Sequence, residues 1–186
     1  MTVKLTQALE ELREDHRNMT VLLNLLETEC ESATVDETPD FELLQDIMQY
    51  MIVYSDAVHH PKEDLVYDEL RKRGSDFADG LEGVGPDHRE IAKLGTALRD
   101  DIQAVISGAA VTREKLIADL RSYVDRLRKH MAWEEEDLFE RADTLAAENR
   151  EAGIDVSVFP DDDPLFGATR KTSFLNLLHH LQEYEN

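Results

Sequence analysis

Residues 116–138 read LIADLRSYVDRLRKHMAWEEEDL, and the reading of this stretch decides the fold. Leu116, Leu120, Tyr123, Leu127 and Leu138 recur at the spacing that lays apolar side chains along one face of an α-helix. His130 and Glu134 fall on the same face, between Leu127 and Leu138. The pattern predicts a helix from about Thr112 to Asn149, with Thr112 as the N-cap residue. Its inward face turns polar for one turn and then apolar again. A buried imidazole or carboxylate costs free energy unless something satisfies it, so the interruption demands a reason.

The same interruption recurs upstream. From the N-terminus, Leu5, Leu9, Leu12, Met19, Leu23 and Leu26 form a near-heptad stripe whose missing member is His16. A second helix is expected from Asp40, through Phe41, Leu44, Ile47, Met48, Met51 and Ile52, to Leu70. There His59 and Glu63 break the stripe before Val66 and Leu70 resume it. Gly74, Gly80, Gly83, Gly85 and Pro86 then mark a long loop. A third helix is expected to start at Asp87, with Asp87 capping and Glu90 reaching back, and to carry Ile91, Leu98, Ile102 and Val105 to Gly108. His88 lies on its inward face. Strand alternation and hairpin dipeptides are missing, so the fold class is all-α: an up-down-up-down antiparallel four-helix bundle over residues 1–150. Residues 151–186 form a tail, with a solvated turn at Asp161–Asp163 and a short amphipathic C-terminal helix from about Lys171 to Glu183, packing on the bundle or on a partner chain.

Composition agrees with one domain. The chain has 186 residues, and 41% apolar content suffices for a single core. Twenty basic side chains against 41 acidic ones give a net charge of −21, which repels phosphate backbones and anionic lipid, so nucleic acid and membrane surfaces are not expected partners. Cys30 is the only cysteine, so no internal disulfide can form and a reducing cytoplasm is the expected location. No stretch approaches about 18 consecutive apolar residues, and neither a signal peptide nor a membrane span is expected.

Counting along the helices at about 1.5 Å per residue brings the interruptions to one level. Antiparallel third and fourth helices place His88 and His130 nearly opposite, and the glycine-rich connection is long enough to return the chain so that His59 and Glu63 join them with His16. Four neutral imidazoles and two carboxylates, with no thiolate, suit iron, manganese or zinc. Six side chains exceed what one open site needs, whereas carboxylates on facing helices can each bridge a pair of ions. The ferritin-like alternative wants four glutamates and two Glu-x-x-His steps, and the residues three before His16, His88 and His130 are Arg13, Gly85 and Leu127, so that pattern fails. Other polar and aromatic residues have plainer readings: Glu135, Glu136 and Asp137 as a solvated face; Met48, Met51, Tyr54, Tyr123 and Trp133 as packing, with Tyr123 able to hydrogen-bond near the site; His179 and His180 as surface or packing.

The order His16, His59-x-x-x-Glu63, His88, His130-x-x-x-Glu134, together with the strings from His59 to Asp64 and from His130 to Phe139, resembles the hemerythrin-like (HHE cation-binding) family over residues 10–140 or so. The resemblance implies a non-haem centre of two iron ions, oxo- or hydroxo-bridged, with Mn or Zn as substitutes. It implies Glu63 and Glu134 as bridging ligands and His16, His59, His88 and His130 as terminal ones. Oxygen-carrying hemerythrins have a further histidine four residues after the third-helix one, and here that position is Ala92, which leaves the site more open and argues against reversible oxygen carriage. His60 is a second-tier ligand that could compensate, because Pro61 disfavours α geometry at His60 and a kink there would redirect it. The implied function is binding or sensing of a small diatomic ligand, oxygen or nitric oxide. The alternatives are a redox enzyme acting on peroxide or nitric oxide, and an iron-handling protein; a homodimer is compatible with each.

Overall fold

The computed structural model describes residues 2–34, 38–148, 153–159, 163–167 and 175–184. Four helical rods form the bundle. The first is α1 (Leu5–Thr34). The second is α2 (Phe41–Tyr54), continued through a π-helical turn at Ser55–His59 into α3 (His60–Arg71). After the short helix α4 (Ser75–Ala78) and a 3-10 turn at Leu81–Gly83 comes the third rod, α5 (Val84–Ile106). The fourth is α6 (Arg113–Trp133), continued through a second π-helical turn at Glu134–Leu138 into α7 (Phe139–Ala147). Successive rods run antiparallel, giving the up-down-up-down bundle expected from the stripes. Two residues at each end of the domain, β1 (Thr2–Val3) and β2 (Ile154–Asp155), pair antiparallel, and α8 (Leu175–Tyr184) packs on α2.

Local chemistry sets the boundaries. Asp40 accepts the Leu43 N–H at 2.9 Å and Thr112 accepts that of Lys115 at 3.2 Å, each satisfying a first-turn donor with no intrahelical partner. Gly108, at φ 81°, ends α5 in the left-handed conformation that only glycine adopts cheaply. The Gly74–Pro86 connection differs from the expected loop: it holds α4 and the 3-10 turn, and α5 already begins at Val84. Pro86 is tolerated there because the first turn has no backbone acceptor for its missing N–H. Asp87 therefore does not cap, and its carboxylate is free for another task. Of the tail, Asp161, Asp162 and residues 171–174 lie outside the described residues, as does Asn149 at the expected end of the fourth helix.

The core is divided by a polar layer. One apolar cluster contains Met19 to Cys30 of α1, Leu43 to Val58 of the second rod, Ile91 to Ile102 of α5 and Leu116 to Met131 of α6. A second contains Leu5 to Leu12, Val66 to Leu70, Val84 and Leu138 to Ala146. In the first three rods the chain passes from one cluster to the other through a histidine, and in the fourth through Glu134, one turn after His130. Leu165, Leu177, Leu178 and Leu181 join the first cluster, while Val3 and Ile154 join the second. Among the described residues no helix is long and apolar enough to cross a membrane.

Candidate metal centre

His16 comes from the middle of α1, His59 from the end of the first π turn, Glu63 from the first turn of α3, His88 from α5, His130 from α6, and Glu134 from the start of the second π turn. Glu63 and Glu134 are 0% exposed and His16, His59 and His130 no more than 4%. His59 Nε2 lies 3.0 Å from Glu63 Oε1, His130 Nε2 3.2 Å from Glu134 Oε2, and His16 Nε2 3.2 Å from His59 Nε2. His88 Nε2 lies 3.5 Å from Glu63 Oε2 and 3.8 Å from Glu134 Oε1. All six candidates from the sequence thus meet, and they sort into two groups with donor atoms within 4.8 Å of one another: His16, His59, Glu63 and Glu134, and His60, Glu63, His88 and His130. Glu63 is common to both.

His60 is in the second group because of the π turn. Such a turn closes on a five-residue hydrogen bond, here from the His60 N–H to the Ser55 carbonyl, and inserts one residue relative to an α-helix. Pro61 is its local cause, since the ring removes one donor and crowds the carbonyl four residues back. With the extra residue, His59 faces one group while His60 stacks on His88, ring centroids 3.8 Å apart and 16° between planes. Ile52, expected on the inward stripe, is instead half-buried, and Met51 and Tyr54 take the core positions. The second π turn places Leu138 and Phe139 inside together, and Phe139 stacks against His16 at 5.4 Å. No proline marks that turn.

Outer partners hold the rings by their other nitrogens, a second layer that fixes tautomer and orientation around a metal ligand. Glu135 Oε1 lies 2.9 Å from His16 Nδ1, Asp15 Oδ2 3.2 Å from His59 Nδ1, and Asp87 Oδ2 2.9 Å from His130 Nδ1. Arg126 lies against Asp87, and Tyr54 donates to Asp15 Oδ1 at 2.9 Å. Tyr67, wholly buried, donates to Glu134 Oε1 at 2.7 Å. These corrections are specific. Glu135 is not part of a solvated face, Asp87 serves a histidine rather than a helix end, and Tyr54 does more than pack. Tyr123 packs against Gly95, and the tyrosine that touches a site residue is Tyr67. Sequence reading missed Asp15, Asp87, Glu135 and Tyr67 because their partners sit on other rods; only Asp15, acidic beside a stripe histidine, carried a local hint.

The electrostatics follow from burial and neighbours. Burial disfavours charge on His59, yet the Glu63 and Asp15 carboxylates outweigh it and raise its pKa to about 10. Burial also opposes the His16 proton, and the hydrogen bond to Glu135 together with the nearby Glu63 carboxylate still raises it. Glu63, which burial would push up, is held well below the carboxylate range by His59 and His16. Burial lowers His60 to about 3, aided by its histidine neighbours, and it also lowers His130 against the pull of Glu134 and Glu63. The layer still leaves Glu63 Oε1 and Oε2, Glu134 Oε2, His88 Nε2 and His130 Nε2 buried without a hydrogen-bond partner. Native proteins rarely orphan buried polar atoms in this way, and five around one space fit a pair of cations as their missing partner. The donor set, imidazole and carboxylate without thiolate, is that of iron, manganese or zinc. His179 is exposed and His180 half-buried, 3.4 Å from Asp40 and apart from this layer.

Comparison with known proteins is consistent with this geometry. No curated protein and no solved structure matches the chain. The hemerythrin HHE cation binding domain matches residues 7–156, which span all four rods and every residue of both donor groups, and the chain therefore belongs to the hemerythrin HHE cation-binding family.

Proposed function

We propose that the chain is a non-haem di-iron protein that binds or senses a small diatomic ligand, oxygen or nitric oxide. The observation that carries this reading is the inequality of the two donor groups. One offers three imidazoles with Glu63, from His60, His88 and His130; the other offers two, from His16 and His59, with Glu63 and Glu134. Glu63 belongs to both groups, and Glu134, whose Oε2 lies 3.6 Å from His16 Nε2 in one group and 3.2 Å from His130 Nε2 in the other, would serve both ions as well. The group with two imidazoles keeps room for an exogenous ligand. A bound iron pair would supply reversible redox chemistry and a Lewis-acidic position for such a ligand. The chain supplies the rest: Glu135 and Asp15 orient the two imidazoles, and the packed layers on both sides exclude bulk water. A surface cavity of about 390 Å³ reaches His16 between Thr20, Met131 and Glu135, on the side with fewer ligands.

The test is anaerobic loading with ferrous iron, metal analysis, and optical spectra on adding oxygen or nitric oxide. Two irons per chain and a stoichiometric spectral change without turnover are expected. Steady-state consumption of peroxide, abolished in Glu134→Ala, would instead make the protein a di-iron redox enzyme. Binding of fewer than two ions would remove the reading altogether.

A further inference from the structure

Residues 163–167 lie beyond residue 156, where the family match ends, yet they are joined to the metal layer by buried contacts. Asp163 Oδ1 accepts the N–H groups of Leu165 and Phe166 at 2.7 and 2.8 Å, closing a turn on itself. Its Oδ2 accepts the Tyr50 hydroxyl at 2.6 Å, and Phe166 sets its edge against the Tyr50 ring at 6.0 Å. Tyr50 stacks on Tyr54, with centroids 5.2 Å apart and planes 9° from parallel. Tyr54 donates to Asp15 Oδ1, and Asp15 Oδ2 holds His59 Nδ1. Tyr50, Tyr54, Asp15 and His59 are each at most 6% exposed. Phenylalanine would fill the two tyrosine positions without hydroxyls to satisfy, and burying a hydroxyl that lacks a partner is costly. The two hydroxyls therefore tie the turn at Asp163 to the carboxylate that orients a candidate ligand.

We infer that residues 163–167 form a strap whose hold on the bundle is set by the metal layer, with Tyr50 and Asp163 acting as positioning residues for His59 through Tyr54 and Asp15. A cation held by Nε2 would fix the ring in place with its Nδ1–H on Asp15, and so hold Asp15 against both His59 and Tyr54. With Tyr54 fixed, the stacked Tyr50 ring and its bond to Asp163 lose freedom, and the turn that begins the strap closes more tightly. Linkage makes the effect reciprocal: whatever factor metal adds to closure of the strap, the closed strap adds to metal affinity, and couplings of this kind are typically about 5–150-fold. The inference rests on the metal-binding part of the proposed function and not on which gas is bound.

The test uses the full chain with zinc, which is redox-silent, and reads amide hydrogen exchange by mass spectrometry. Zinc should slow exchange at Leu165 and Phe166 by roughly tenfold more than at Ala104–Ile106, at the far end of α5. In Tyr54→Phe, zinc should still bind and protect the bundle while the extra slowing at Leu165 and Phe166 disappears. Tyr50→Phe and Asp163→Asn should each weaken zinc binding by about the factor lost from the strap, whereas a purely structural role for these residues would change melting alone. The strap is overturned if bound zinc slows Leu165 and Phe166 no more than the far end of α5, or if Tyr54→Phe leaves the extra slowing intact. Absence of zinc binding in the same samples would overturn the metal centre, and the strap with it.

Discussion

Loading this centre with a divalent cation must expel protons, and the structure says from where. In the metal-free layer His59 is flanked by Glu63 Oε1 at 3.0 Å from Nε2 and Asp15 Oδ2 at 3.2 Å from Nδ1, which hold its pKa at about 10 in spite of burial. At pH 7 that proton lies about three decades below its pKa, and at ~1.36 kcal/mol per decade its removal costs about 4 kcal/mol of metal affinity. His16, also raised, adds to the cost, while His60 and His130, both lowered, are already neutral and add none. The logarithm of the zinc association constant should therefore rise with pH between about 6.5 and 9 with a slope of at least one, approaching two where His16 still holds its proton. Competition against a chromophoric chelator across this range gives the slope, and calorimetry in two buffers of different ionisation enthalpy gives the proton count directly. Asp15→Asn should flatten the slope, because it removes one of the two carboxylates that retain the His59 proton. Stability of the metal-free chain carries the same signature. His59, raised in the fold, contributes stability that is complete below about 6.5 and lost as pH climbs toward about 10. His60, depressed in the fold, has the opposite sign and costs stability as pH falls from about 6.5 toward 3. Zinc should abolish the alkaline loss. A zinc affinity independent of pH after correction for the chelator, with no buffer dependence of the heat, would refute the reasoning.

Three further outcomes are expected. Chelation of the loaded protein should lower its Tm by about 10 °C or more, because five orphaned buried atoms at roughly 1–3 kcal/mol each are exposed as a penalty and a domain of this size shifts by about 2–4 °C per kcal/mol; an unchanged calorimetric melt would mean the layer is satisfied without cations. His60→Ala should leave the group of His16, His59, Glu63 and Glu134 intact and weaken the other ion by more than the roughly 10–100-fold typical of losing an outer partner, so that titration resolves one tight and one weak site. Gly95→Ala should destabilise the fold by about 1–3 kcal/mol in denaturant titration at unchanged metal content, since its Cβ would come within 3.0 Å of Tyr123 Cε2 on the facing helix.

The bundle and the layer were legible because each is written in a single rod. A stripe of leucines states a helix face, and a histidine within it states where that face meets something other than hydrocarbon; four such statements at compatible heights required one layer before any coordinates. What could not be read is what depends on geometry between rods or on a departure from regular helix. Asp87 looked like a cap because capping is a local use of a carboxylate near a helix start, whereas its partner, His130, is 43 residues away. Glu135 looked solvated because it follows Glu134 in an acidic run, and only the wider second π turn, with α1 across from it, brings its oxygen to His16. An ideal helix turns His60 about 100° away from His59, and Pro61 is the sequence signal that the step there is not ideal.

The division of the core explains why these departures occur at the layer and nowhere else among the described residues. On either side, apolar side chains on four rods pack against each other, and an inserted residue in the middle of such a cluster would displace every contact beyond it. At the layer the demand is different: a small space must receive donor atoms from seven side chains on four rods, more than regular 3.6-residue faces present at one height. An added residue in the second rod turns two consecutive histidines toward the space, and another in the fourth follows the inward Glu134 and brings Leu138 and Phe139 inside together, while Glu135 reaches an imidazole on α1. The cost of each π turn is thus borne where its only alternative is a buried atom without a partner. The order of the residues records this, since the second apolar cluster contains pairs of consecutive residues beyond the layer, Val66 and Tyr67 in one rod and Leu138 and Phe139 in the other.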